Sequence, residues 1–316
     1  MDLKDVKKGL TVLSSIIVLG FGLTACGGGG GSSTLASTST ASAVPDADKI
    51  SISPSNSTQV TTAAVDAIGG GFAFKNGVSV AKMAKLGSSL SETSSQTAFK
   101  KSMQFAQTFK ALSVTNSQAC PDGGSIDVTG DVNSGTVTYN QCQYGTGIIN
   151  GSVNLSGNAD GTSGTATYNN FSLSENGEII VFFESTSYTY QYDTNYNLQN
   201  MSITMNGYAI TLGERTDFKN YTFTLTNDAS QNVTFTISGF VKTACLGAWI
   251  EVVTNEDIKI GQSATCPNAG KLTIGGNASS LVITFNTDLS SDVSINGAAP
   301  EHYSNCNDLD TGICAL

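Results

Sequence analysis

The chain has 316 residues and a formal net charge of −10, with 13% of its residues charged and 39% hydrophobic. The excess of acidic over basic groups excludes the usual electrostatic basis of nucleic-acid binding and of docking on anionic lipid, and the supply of aromatic and β-branched residues excludes wholesale disorder. With a single histidine, His302, and no C-x-x-C, H-E-x-x-H, G-x-S-x-G, P-loop or dinucleotide motif, neither a metal nor a haem nor any other cofactor is expected.

The amino end carries Lys4, Lys7 and Lys8, followed by an apolar run of 15 residues from Gly9 to Leu23, short of the roughly 20 that a membrane-spanning helix needs. This pattern predicts a secretory signal peptide over residues 1–25. Leu23-Thr24-Ala25-Cys26, at the end of the run, resembles the lipobox of bacterial lipoproteins, in which the cysteine is acylated and becomes the first mature residue. The resemblance implies a lipid anchor, palmitate included, on Cys26, and two or three acyl chains give stable membrane attachment where one is marginal. Gly27 stands where aspartate would favour inner-membrane retention, so the resemblance implies the outer membrane of a Gram-negative cell and leaves open which face.

Residues 26–57 read as an acylated cysteine followed by a Gly/Ser/Thr-rich tether, a coil spanning on the order of 30 Å. From residue 58 to residue 115 the period turns helical. Val60, Ala63, Ala64, Ala67 and Ile68 share a face, Gly69-Gly70-Gly71 is expected to stop that helix, and a second helix is expected from about Gln96 to Leu112.

Beyond Cys120 the period is two. A hairpin pattern is duplicated: GSIDVTG and GTVTYNQC, starting at Gly124 and Gly135, return as GSVNLSG and GTATYNNF, starting at Gly151 and Gly164. A weaker third copy starts at Cys266, with Pro267, Gly270 and Gly276 matching Pro121, Gly124 and Gly130. In the repeat Cys142 corresponds to Phe171, so both are expected as inward-facing anchors, one covalent and one hydrophobic. Further alternating runs begin at Glu178, Asn200, Tyr221, Asn232 and Ala248. The fold class that follows is mainly β (α+β), an antiparallel meander of about a dozen strands forming a curved sheet, half-barrel or barrel, with the amino-terminal helices packed on it. Residues 116–316 form its β region, in one domain with the helices.

Once Cys26 is acylated, Cys120, Cys142, Cys245, Cys266, Cys306 and Cys314 remain, an even number in an exported chain. Cys120 and Cys142 flank the first hairpin and are expected to pair. TNED, Thr254–Asp257, reads as a hairpin turn, which would bring Cys245 to Cys266 and leave Cys306 for Cys314.

Catalytic groups are sparse, and a non-enzymatic chain is expected. His302 reads as a surface histidine. Glu175 and Glu178 flank an Asn-Gly turn, Glu256 and Asp257 lie in the expected TNED turn, and Asp308 with Asp310 does not match the calcium-loop spacing. Tyr188, Tyr190 and Tyr192 share one strand face, with Tyr196 close by, and form the candidate ligand surface: exposed, they would stack on sugars or line a lipid groove, and buried, they are a core layer. Trp249 is expected to cover the Cys245 disulfide.

The lipobox, the tether and the GSxxxTG and GTVTYNQC strands resemble a scattered group of uncharacterised cell-envelope lipoproteins of Gram-negative bacteria, over roughly Cys120–Asn170 and Cys266–Asn286. That resemblance implies a cell-envelope setting and no particular activity. Three functions are carried forward: an anchored envelope lipoprotein with a structural or binding role towards an envelope protein, a half-barrel carrier of lipid or another hydrophobic ligand, and a glycan-binding or glycan-active surface protein.

Overall fold

The computed structural model describes residues 44–75, 116–130, 134–158, 162–193, 198–211, 214–228, 230, 232–261 and 266–309. Its helix, α1 (Ser57–Lys75), is followed by fourteen strands: β1 (Asn116–Ala119), β2 (Ser125–Gly130), β3 (Ser134–Tyr144), β4 (Gly147–Gly157), β5 (Ser163–Glu175), β6 (Glu178–Tyr192), β7 (Leu198–Thr211), β8 (Glu214–Asn227), β9 (Val233–Thr243), β10 (Ile250–Ile260), β11 (Ala269–Gly276), β12 (Ser279–Phe285), β13 (Ser291–Ile295) and β14 (Glu301–Tyr303). Each strand pairs antiparallel with its neighbour in sequence, so the sheet runs from β1 to β14 as one open meander, mainly β and not closed into a barrel.

Alternation divides the sheet into two faces. One register row, Ala166, Tyr188, Ile203, Phe223 and Ile237 on β5 to β9, is at most 5% exposed throughout. Each such side chain contributes about 1.5–3 kcal/mol by leaving water. The next row, Thr165, Thr189, Ser202, Thr224 and Thr236, points the other way. Against the apolar face lies α1, which buries Val60, Ala63, Ala64 and Ala67 and accepts a 2.5 Å hydrogen bond from the Tyr221 hydroxyl at the Ala67 carbonyl.

A band of irregular pairing crosses the middle strands of the sheet, and β6–β7 carries a further shift at Gln191/Tyr192. Every neighbouring pair from β3–β4 to β10–β11 carries a register shift, whereas the pairs at either end of the meander carry none. Bulges of this kind bend a strand and increase its twist, and a row of them coils the whole sheet. Two Asn-Gly pairs inside strands supply the chemistry. Asn150 Oδ1 accepts the Gln141 N–H at 2.8 Å, and Asn206 Oδ1 accepts the Asn220 N–H at 2.8 Å, which serves the irregular strand on one side. On the other side Gly151 (φ +105°) and Gly207 (φ +149°) give way: a Cβ there would strike the Asn170 or the Phe182 carbonyl.

The repeated stretch belongs to this device. Gln141 and Asn170, third residues of YNQC and YNNF, both have positive φ (47° and 45°), and the residues after them, Cys142 and Phe171, are fully buried. Cys142 is bonded to Cys120 with Cα atoms 5.4 Å apart, while Phe171 meets Tyr139, Tyr168 and Phe183 at ring-centroid distances of 5.9, 5.2 and 6.1 Å.

Several expectations are corrected. TNED is no turn: Thr254–Asp257 lies inside the single strand β10, with register shifts against both neighbours. An 11-residue strand spans roughly 35 Å, so it separates Cys245 from Cys266 instead of joining them. Cys266 is bonded to Cys306, Cα atoms 5.7 Å apart, which also removes the Cys306–Cys314 pairing. Cys245 is disulfide-bonded to a partner other than these four cysteines, and Cys314 lies outside the described residues. The glycine triplet does not end α1, because glycine weakens a helix by about 1 kcal/mol per residue yet keeps its backbone donor and acceptor. The expected second helix, Gln96–Leu112, lies outside the described residues.

The tether is shorter than composition suggests, since residues from Val44 onward are packed. Val44 and Ile52 are buried, Ile50 N–H donates to the Trp249 carbonyl at 3.0 Å, and Asn277 N–H donates to the Ile50 carbonyl at 2.7 Å. Trp249 is thus engaged by this amino-terminal strap.

Candidate functional site

The tyrosine strand is placed by its register. Tyr188, Tyr190 and Tyr192 lie on the inward side of β6, where Tyr188 is 5% exposed and the other two are half-buried at the rim. Tyr188 and Tyr190 stack at 5.7 Å and Tyr190 meets Tyr192 at 5.4 Å. Opposite Tyr190 stands Gly164, and a Cβ at that position would strike the tyrosine ring, so the aromatic covers the glycine gap. Burial pushes the Tyr188 phenol well above its ordinary value, reinforced by Tyr192 and Tyr190. Tyr188 is thus core and Tyr190 and Tyr192 are rim, the buried alternative of the two, and Tyr190 also borders the groove described below. Tyr196 lies outside the described residues, as does Cys26.

The other candidates are dispersed. His302, on β14, holds Asp292 of β13 at 2.8 Å between Nδ1 and Oδ1, with its ring 61% exposed. The Asp292 carboxyl sits below the usual range because the Asn286 amide donates to it at 3.0 Å and His302 lies beside it. Glu175 and Glu178 are paired across the Asn176-Gly177 turn of β5–β6. Glu256 and Asp257 are exposed in the irregular part of β10, and Asp308 is exposed in the 3₁₀ turn Cys306–Leu309, while Asp310 lies outside the described residues. No group of three or more His, Cys, Asp or Glu side chains placed to hold a metal occurs among the described residues.

The structure brings forward a face that the motif reading missed. On β3 to β9 every Asp, Glu, Lys and Arg lies at or beyond the line of register shifts: Glu175, Glu178 and Glu184 on β5 and β6, the cluster Glu214–Lys219 on β8, and Lys242 on β9. The other half of these strands bears only hydroxyls and amides on its outward face. They form ladders across the strands: Thr136 to Asn154 at 2.9 Å, Thr204 to Thr222 at 3.2 Å, Thr224 to Thr236 at 2.5 Å and Asn200 to Gln191 at 3.0 Å. A groove of about 640 Å³ opens on this face across β4 to β8. Thr165, Thr189, Gln191, Asn200, Ser202 and Thr224 line it, Tyr190 borders it, and Met201 and Leu225, which also border it, are at most 2% exposed.

No protein-family model and no curated protein matches this chain. The reading therefore rests on the arrangement itself. The inward side chains form a buried apolar cluster, and one half of the outward face of β3 to β9 offers donors and acceptors without charge. The signal was in the sequence as long runs free of Asp, Glu, Lys and Arg, residues 134–157 and 198–211 among them.

Proposed function

We propose that this chain is a lipid-anchored, non-enzymatic lipoprotein of the bacterial outer membrane, whose bent sheet is a rigid scaffold that presents its outward face for binding. The observation that carries the reading is the inward face, where residues from Ile126 on β2 to Val293 on β13 join α1 in one buried apolar cluster. A core of that kind stabilises a display surface, and a carrier would need its apolar residues to line a cavity. Support for the anchor comes from the lipobox-like Leu23–Cys26 and from the Gly/Ser/Thr-rich composition of the residues that follow it.

The test is fractionation of cells expressing the chain and its Cys26→Ser variant. The wild type is expected in the outer-membrane fraction and the variant outside it. Equal membrane retention of both proteins would refute the anchor.

A further inference from the structure

We propose that the uncharged groove across β4 to β8 binds a neutral, polyhydroxylated glycan chain. This inference deepens the scaffold reading and rests on it for the place where such a chain is met.

The ligand class follows from what the groove contains. An anionic or cationic ligand needs an opposite charge, and among the described residues the lining has none, in a chain whose formal net charge is −10. Lipid needs apolar walls, and Met201 and Leu225, which border the groove, are at most 2% exposed. Protein partners select clusters of aromatic and arginine anchors, and the lining holds one half-buried aromatic, Tyr190, and no arginine. What remains is a surface of Thr, Ser, Asn and Gln, each able to donate and accept together. A glycan hydroxyl has the same double capacity.

Geometry adds to the chemistry. Strands about 4.8 Å apart, with outward side chains about 6.7 Å apart along each strand, make a two-dimensional array of hydroxyls and amides. Thr224 and Asn200 are already oriented by their partners Thr236 and Gln191, and each polar group retains hydrogen-bonding capacity after one such pairing. Thr and Ser also lose little rotamer freedom on binding. A volume of about 640 Å³ falls within the range of ligand sites and suits a short oligosaccharide stretch.

A surface of ordinary solubility carries charge of both signs on about 25–35% of its positions. The uncharged half of β3–β9 departs from that pattern, while the other half of the same strands follows it. The asymmetry is placed by the bulge line and coincides with the groove.

The experiment measures binding of the full chain, purified in detergent, to immobilised neutral hexose oligosaccharides and to uronic-acid oligosaccharides. We expect binding to the neutral series, with less than about twofold change between low and high salt because no ion pair is involved. The exposed-strand variant Thr189→Val/Thr224→Val, which keeps β-branched shape, should weaken it by about tenfold, and Thr189→Arg, which fills the groove, should abolish it. Circular dichroism and the thermal midpoint establish that both variants fold. Absence of binding to the neutral series would overturn the proposal. So would equal binding of charged oligosaccharides, undiminished binding by the folded variants, or self-association of the chain that Thr189→Arg disrupts. Cys26→Ser protein run in parallel keeps the two readings distinguishable, since glycan binding does not depend on the anchor.

Discussion

Gly207 concentrates the demands of the bend in one residue, with φ at +149° and the Phe182 carbonyl where a side chain would begin. Gly207→Val should destabilise the protein by about 3 kcal/mol or more, read from urea unfolding, because both the backbone conformation and the space are lost. Gly177, in the β5–β6 turn at φ +85°, has open space around it, so Gly177→Asn should cost under about 1 kcal/mol. Asn206→Ala removes the acceptor of the Asn220 N–H and should cost about 1–2 kcal/mol in the same assay. Thr186 gives the opposite sign: it is 2% exposed and its hydroxyl finds no hydrogen-bond partner among the described residues. Thr186→Val should be neutral or stabilising by up to about 1 kcal/mol. The same dipeptide, Asn-Gly, makes turns at Asn176-Gly177 and Asn296-Gly297 and lies opposite the bulged residues of neighbouring strands at Asn150-Gly151 and Asn206-Gly207. Local sequence states the need for positive φ and cannot state whether the chain reverses or bends, because that depends on the strands beside it.

At the scale of elements, period-two alternation made the meander legible, and the repeat located the first two hairpins. β10 was not legible. Its Thr254–Asp257 segment has turn composition because it is exposed and irregularly paired, and only pairing with β9 and β11 at both ends shows it to be one strand. The disulfides follow from the strands. A non-reducing peptide map should recover Cys120 linked to Cys142 and Cys266 linked to Cys306, and a Cys245–Cys266 peptide would contradict the continuous β10. With Cys26 acylated, Cys314 is the cysteine left for Cys245, and the same map should show that link. Loss of the Cys266–Cys306 bond, which spans 40 residues, should destabilise by about 4 kcal/mol on chain-entropy grounds, against about 3 kcal/mol for Cys120–Cys142 over 22 residues. The uncharged outward face escaped motif reading for a different reason. Its residues are ordinary strand formers, and only register places hydroxyls from five strands around one groove.

Taken whole, the described residues form a sheet whose inward side chains are buried in one apolar cluster, and its titration behaviour should reflect that burial. Burial pushes the phenols of Tyr139, Tyr168, Tyr188 and Tyr221 far above their ordinary value of 10.0. In the unfolded chain these groups lose protons near pH 10 and in the folded chain they retain them. Stability is therefore complete below about pH 10 and falls as pH rises beyond it, since the unfolded state is then the one binding fewer protons. Phenolate absorbance of the buried tyrosines should appear together with loss of circular dichroism, and ionisation of every tyrosine near pH 10 in a still folded protein would contradict the buried rows. The proposed anchor would hold this scaffold on a membrane through one atom, the Cys26 sulfur. Mass spectrometry of the amino-terminal peptide from membrane-purified protein tests that placement most directly: a peptide beginning at Cys26 and bearing acyl chains is the predicted result, and an unmodified Cys26, or a chain that begins anywhere else, would contradict it.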